Sequence, residues 1–429
     1  MDLHRHTHVR VRNGAVVGRR DFLRGVTAAS LAAGTLGWHD LLSAKAADLK
    51  ARGMACILLW MQGGPSQFET FSPKPGHENG GETKAISTSV PGIEVSENLP
   101  HLAKVMDEIA IIRSMNSREG SHPRATSLLH TGYLPTASIK YPTLGSLVTQ
   151  QISNDACELP SFVLVGNPGR NRTGGGFLGV DFDPFAVTRS GQAPANSQPG
   201  VGEDRFRRRL DLLDKLQTSG GDAQAHVQDH VALYRKASKM ILSPQMKAFD
   251  ISEETDAARE AYGKGNFASG CLLARRLIES GVTFVEVVAN GWDTHQDNFN
   301  RVKNLTGQVD QPFAQLIRDL KDRGLLDSTL IVWMGEFGRT PRINARTGRD
   351  HFPRAFNVAL AGGGVQGGQV IGKTNPAGDA VTDRPVGVTD LFQSICKSLK
   401  IDAAAENFSS VGRPIKVVDG GEAVDELFA

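Results

Sequence analysis

Three short polar stretches in the last third of the 429-residue chain carry side chains suited to holding a metal ion: GWDTHQDNF from Gly291, GEFGRTP from Gly335 and GRDHFP from Gly348. Asp293 and His295 stand two residues apart, so in an extended segment both side chains leave on one side. Asp297 adds a further oxygen donor. Glu336 and the Asp350–His351 pair bring two more carboxylates and a second imidazole. Mixed Asp, Glu and His donors suit zinc, manganese or another borderline-to-hard divalent ion. Singly, each is also an ordinary loop cap or Asx turn. Gathered in one half of the chain, they read as one site.

A fourth stretch lies upstream, from Asn116 to Tyr133. Ala125, Leu128, Leu129 and Gly132 have helical spacing, which places Ser121-His122-Pro123-Arg124 at a helix start. The free N–H groups and dipole of a helix N-terminus favour anions, and Arg124 would add a fork-shaped donor for a phosphate or sulfate. A plain N-capped helix with Ser121 as its cap is the simpler alternative.

The flanking segments say what must position these residues. VTFVEVVA from Val282 and STLIVWM from Ser328 read as buried strands ending just before Gly291 and Gly335. MACILLWM from Met54 reads as a central parallel strand leading into the glycine turn Gln62-Gly63-Gly64-Pro65-Ser66. Further strands are expected at Ile109, Leu159 and Ala355. Helices are expected from Leu99, Ser121 and Thr143, over about 203–217 and 223–244, before Val282, before Gly324 and over about 387–399. Residues 167–202 read as a long loop, with Arg170 and Arg172 as loop arginines that could meet an anion, and 167–265 as an insertion over the sheet. The fold class expected is therefore α/β, a doubly wound and mostly parallel sheet with helices on both faces, where ligands gather at the carboxyl ends of strands. Gly362-Gly363-Gly364 opens no helix and leads to another strand, QVIGKTN, so a dinucleotide site is not expected.

Residues 1–46 read as a leader. Arg19-Arg20-Asp21-Phe22-Leu23 resembles a twin-arginine export signal, followed by a short, weakly apolar run and the Ala44-Lys45-Ala46 cleavage pattern. Export by the twin-arginine translocase, a periplasmic or cell-surface location and no stable membrane span in the mature chain are the expectations. Cleavage removes seven of the 48 Lys/Arg and three of the 46 Asp/Glu, leaving 41 and 43. That near-neutral balance leaves no basic footprint, and no nucleic-acid partner is expected. Cys56, Cys157, Cys271 and Cys396 lack CxxC spacing and read mostly as core residues, with at most one incidental disulfide. Residues 47–429 are taken as one domain.

The stretches QGGPSQFETFSPKP, GSHPRATSLLHTGY, GWDTHQDNF, GEFGRTPRIN and GRDHFP, with the paired-arginine leader, closely resemble the exported bacterial family called domain of unknown function 1501, over about residues 54 to 420. That family is similar to the alkaline phosphatase and sulfatase superfamily. The resemblance implies that fold, and an exported hydrolase of a phosphate or sulfate ester, or a related anionic small molecule or glycan, with one divalent metal ion, zinc, manganese or iron. In it Asp293 with His295 or Asp297, together with Glu336 and His351, would hold the metal. Arg124 and Arg339 would neutralise the substrate's oxygens, and Ser121 or His122 would serve as nucleophile or general acid/base. Phe337 and Gln62 stand where the wider superfamily has metal ligands, which implies one metal instead of two. A catalytically reduced member that binds a glycan or a protein is the opposing expectation.

Overall fold

The apolar run after Met54 has no polar face because it is covered on both sides. In the computed structural model it forms β1 (Ala55–Gln62), whose interior residues are all buried. Cys56, Leu58 and Trp60 face one core, and Ile57, Leu59 and Met61 the other. This is the period-2 alternation of a strand sandwiched between helical layers. The residues described are Arg10–Arg12, Ala15–Val17 and 53–428, without 155, 168–173, 192–193, 195–196, 198 and 219–224. The export signal, its cleavage site, Arg170 and Arg172 lie outside them. Residues 1–48 and 49–429 are separate compact units. In the first, Arg10–Arg12 and Ala15–Val17 pair antiparallel.

In the second unit the other sheet strands are β2 (Ile109–Met115), β3 (Phe162–Val165), β4 (Phe185–Val187), β5 (Phe284–Asn290), β6 (Thr329–Met334), β7 (Phe356–Ala361) and β8 (Gln369–Ile371). They form one eight-stranded sheet in the order β8-β2-β7-β6-β1-β5-β3-β4. Every strand runs parallel to β1 except β7, which pairs antiparallel with both β6 and β2. The fold is thus α/β with a mainly parallel central sheet. Because β7 is reversed, the chain enters it at the edge where the parallel strands end, and Phe356 pairs with Met115, the last residue of β2. The polar stretch just before β7 therefore arrives where β1, β2, β5 and β6 finish.

Helices α1 (His122–Thr131), α2 (Leu144–Ile152) and α8 (Val388–Leu399) cover one face. Helices α6 (Asn266–Glu279) and α7 (Asn298–Asp322) cover the other. Between β4 and β5 lie α3 (Glu203–Thr218), α4 (Ala225–Leu242) and α5 (Asp256–Tyr262).

Two segments differ from the sequence reading. The run after Leu99 forms not a regular helix but 3-10 turns, Leu102–Glu108, kinked at Val105. The Asp310 carboxylate on α7 accepts from His101 N and Leu102 N, both at 2.8 Å, and pins the start of those turns, while β2 begins at Ile109. Within the expected loop, Phe185–Val187 adds the edge strand β4 beside β3. All four cysteines are free thiols, three of them buried. Among the described residues no helix is long and apolar enough to cross a membrane.

Candidate metal centre

Four strand ends and one helix start meet at the site. β1 ends at Gln62 and turns through Gly63, whose φ of +118° only glycine adopts freely. A Cβ there would stand 2.5 Å from Asp293 N, so the missing side chain lets the turn lie against Trp292 and Asp293. Gly63 N donates to both oxygens of Glu336, at 3.0 and 3.1 Å. That buried carboxylate, just past β6, also receives His122 Nδ1 at 2.6 Å. His122 is the first residue of α1, and Ser121, its N-cap, makes no side-chain cap bond. The loop after β5 is tied down from several sides. Asn344 Nδ2 donates to His295 O, Arg349 N to Thr294 O, and Arg301 Nη1 to Asp293 O, at 3.0 to 3.1 Å. Gly348 lies so close to this loop that a Cβ would come within 2.0 Å of His295 O.

These constraints bring three imidazoles onto one carboxylate oxygen. Asp293 Oδ1 lies 3.3 Å from His122 Nε2, 3.1 Å from His295 Nε2 and 3.3 Å from His351 Nε2. The Nε2 atoms of His295 and His351 are 3.0 Å apart. Donor atoms of His122, Asp293 and His351 all fall within 4.8 Å of one another.

The opposite side of each ring faces an acceptor. His122 Nδ1 meets Glu336 Oε1, His295 Nδ1 meets Asp350 Oδ1 at 2.7 Å, and His351 Nδ1 meets the Gly120 carbonyl at 2.8 Å. A carbonyl or carboxylate oxygen can only accept, so each ring carries its proton on Nδ1, and in the neutral ring Nε2 is a lone pair. Metal-binding histidines are oriented in this way by an outer shell of acceptors. The Phe337 ring stands 4.9 Å from the His122 ring and 4.6 Å from that of His351, walling one side.

Electrostatics follow from the crowding. Burial raises the Asp293 pKa, but the close approach of His122, His351 and Arg339 outweighs it and holds the carboxyl well below the usual range. For His122, burial lowers the pKa, and contacts with Asp293 and Glu336 reverse that and lift it to about 9. His122 Nε2 is sealed from solvent without a well-formed hydrogen bond.

Of the residues singled out in sequence, Asp293, His295 and His351 converge, and His122 joins them as a nitrogen donor. The others stand elsewhere. Glu336 is an orienting partner of His122, its oxygens taken by Gly63 N and His122 Nδ1. Asp297 is exposed, and its carboxylate accepts from Asn300 Nδ2 at 2.7 Å. Arg339 is fully buried and spends its guanidinium on Gly63 O, Gly64 O, Arg349 O and Asp293 Oδ1, so it buttresses Asp293 and has no fork left for a substrate. Arg124 makes a two-pronged ion pair with Glu119 at 2.8 and 3.0 Å. Ser121 is exposed at the rim.

Sequence reasoning missed the backbone partners, Gly63 N–H and the Gly120 carbonyl, which no side-chain type announces. It also missed the fully buried Arg349–Glu69 pair, at 2.7 Å, which braces the loop before His351. Asp350 was signalled only as the neighbour of His351.

The family described as "Protein of unknown function (DUF1501)" matches residues 54–428. Among solved structures, a sulfatase from Pseudoalteromonas sp. is similar at 15% identity and TM-score 0.38, over 85% of this chain and 71% of that one. A protein of the alkaline phosphatase superfamily from Vibrio parahaemolyticus is similar at 12% identity and TM-score 0.39, over 82% and 67%. A phosphonate monoester hydrolase from Silicibacter pomeroyi is similar at 13% identity and TM-score 0.34, over 88% and 76%. No curated protein matches the sequence.

Proposed function

The chain belongs to the DUF1501 family, and we propose that it is an exported hydrolase of a phosphate or sulfate ester that works with one divalent metal ion. One observation carries the reading: the Nε2 atoms of His122 and His351 and the Asp293 carboxylate, each held from behind, come within 4.8 Å of one another, with His295 Nε2 alongside at 3.1 Å from Asp293 Oδ1. Without a metal ion there, the Nε2 atoms of His295 and His351, 3.0 Å apart, need a second proton on one ring to share a hydrogen bond. A tetrahedral ion with bonds of about 2.05 Å needs donors about 3.3 Å apart. The separations from Asp293 Oδ1, 3.1 to 3.3 Å, match that edge. His122, Asp293 and His351 would hold the ion, and His295, beside Asp293 and His351, could swing in as a fourth donor.

Bound there, such an ion would polarise an ester oxygen and make bound water acidic. The protein's own groups do the rest. Glu336, Asp350 and the Gly120 carbonyl keep the three rings in one tautomer. Arg339 keeps Asp293 ionised. The N-terminus of α1 turns its positive dipole end to the same point and favours an anionic group. Ser121, exposed beside His122, is the hydroxyl available as nucleophile. Phe337 narrows access for water from one side.

A second reading keeps the metal without catalysis. Four protein donors close a tetrahedral site, as in structural zinc centres, whereas catalytic ones keep a position open. His295 decides between them. At 35% exposure its side chain is more open than those of His122 and His351, and Asp350, its anchor, is 53% exposed, so His295 is the donor free to leave. The test is turnover of 4-nitrophenyl phosphate and 4-nitrophenyl sulfate by zinc- and manganese-loaded protein, with Asp293→Ala as control. Turnover lost in the variant supports the hydrolase. Metal binding without turnover of any ester in a broad panel supports the second reading.

A further inference from the structure

We propose that the open cavity beside α1, lined by Ser127, Ile139, Lys140, Tyr141, Val180 and Asp183, is a carbohydrate-binding subsite. Its volume is about 500 Å³, within the ~300–1,000 Å³ usual for small-ligand sites. None of these residues belongs to the metal cluster, and the subsite stands whether or not the hydrolase reading holds.

Its wall is built in advance. Tyr141 stacks on Tyr133 with ring centroids 4.4 Å apart and planes 2° from parallel. Tyr133 is itself fixed, its hydroxyl donating to Lys416 O at 2.7 Å. On the glycine-rich side, Phe177 N donates to Lys140 O at 2.9 Å and Gly175 N to Asp183 Oδ1 at 2.6 Å. The loop before α2 and the loop across from it are thus held together around the cavity. A rigid tyrosine face offers a large amphipathic contact at small entropic cost.

The lining selects the ligand class. Val180, 42% exposed, and the Tyr141 ring offer apolar contact. The Lys140 ammonium has no acceptor among the described residues, and Asp183 keeps an oxygen beyond the one Gly175 uses. One cation and one anion give no net pull on a simple anion, and an aliphatic ligand would leave both unanswered. A pyranose ring meets all of them, with a C–H face for the tyrosine and hydroxyls that both donate and accept. Ser127 is five residues beyond His122 on α1, about 7.5 Å of helix rise, so an oligosaccharide seated here has room to extend toward the cluster.

The test is calorimetric titration of the full chain with maltohexaose, cellohexaose and a chondroitin sulfate hexasaccharide. At least one binds, Tyr141→Ala weakens it by about tenfold or more, and Tyr141→Phe and Asp293→Ala leave it within about threefold. Should Tyr141→Ala fail to fold by circular dichroism, Val180→Arg, which fills the cavity from an exposed position, replaces it and must give the same loss. The proposal is overturned if none of the three sugars binds at ~10 mM, or if binding is unchanged in the folded cavity variant. Loss of binding in Asp293→Ala but not in the cavity variants would place the sugar at the cluster and overturn it equally.

Discussion

Replacing Glu336 by leucine tests the reasoning about the centre without touching a metal donor. The new side chain is close in size for a fully buried position but offers no acceptor. Oε1 now accepts from both Gly63 N, at 3.0 Å, and His122 Nδ1, at 2.6 Å. Without it nothing holds the His122 proton on Nδ1, so the ring can move it to Nε2 or turn away, and either removes the lone pair at the centre. Loss of such an orienting partner usually costs about 10- to 100-fold in metal affinity, or roughly 1.4 to 2.7 kcal/mol. Competition of the purified protein against a chromophoric zinc chelator reads this directly, with thermal melts showing that the variant is folded. Affinity within about twofold of wild type would refute the claim that Glu336 sets the His122 tautomer.

The metal-free protein should show the His122 charge in its stability. A pKa raised from about 6.5 unfolded to about 9 folded contributes stability that is fully present below pH ~6.5 and is lost as pH rises toward 9. Solvent around the half-buried ring reduces this to on the order of 1–2 kcal/mol. Urea titrations of chelator-treated wild type and His122→Gln across that window measure it, and parallel pH profiles would contradict it. Removing one partner of the fully buried Arg349–Glu69 pair, as in Arg349→Met, should cost about 3–5 kcal/mol, read as a fall in urea midpoint. Arg124→Ala should leave both the urea midpoint and ester turnover nearly untouched, because Arg124 is exposed and its pair with Glu119 is screened by solvent. A large rise in KM would restore it as a substrate clamp. Gly63→Ala would drive a Cβ against the Asp293 backbone at φ +118°, and should weaken zinc binding in the chelator assay even where the chain folds.

How much was legible in the sequence depended on how local each signal was. Met54–Met61 announced a two-sided central strand because burial on both faces leaves no polar alternation. Asp293, His295 and His351 were legible as donors because each sits in a loop where a strand ends or begins. Two features were not local. The reversal of β7 cannot be read from AFNVALAG, which is equally apolar in either direction, yet it is what delivers His351 to the carboxyl edge. The roles of Glu336 and Arg339 also depended on what lay behind them. Side-chain type marked Glu336 as a ligand and the family resemblance cast Arg339 as an anion clamp, but the Gly63 turn, more than 270 residues away in sequence, engages both. His122 was placed at a helix start by spacing and cast as a reacting group by the resemblance, and only the fold shows its Nε2 turned to Asp293.

The measurement that bears most directly on the central claim is elemental analysis of the folded protein, purified without chelator, beside Asp293→Ala/His351→Ala and with circular dichroism of both. The convergence of His122, Asp293 and His351 predicts about one equivalent of a divalent transition metal in the wild type and none in the folded double variant. Wild-type protein that takes up no zinc or manganese on reconstitution, or a double variant that keeps a full equivalent, would contradict it.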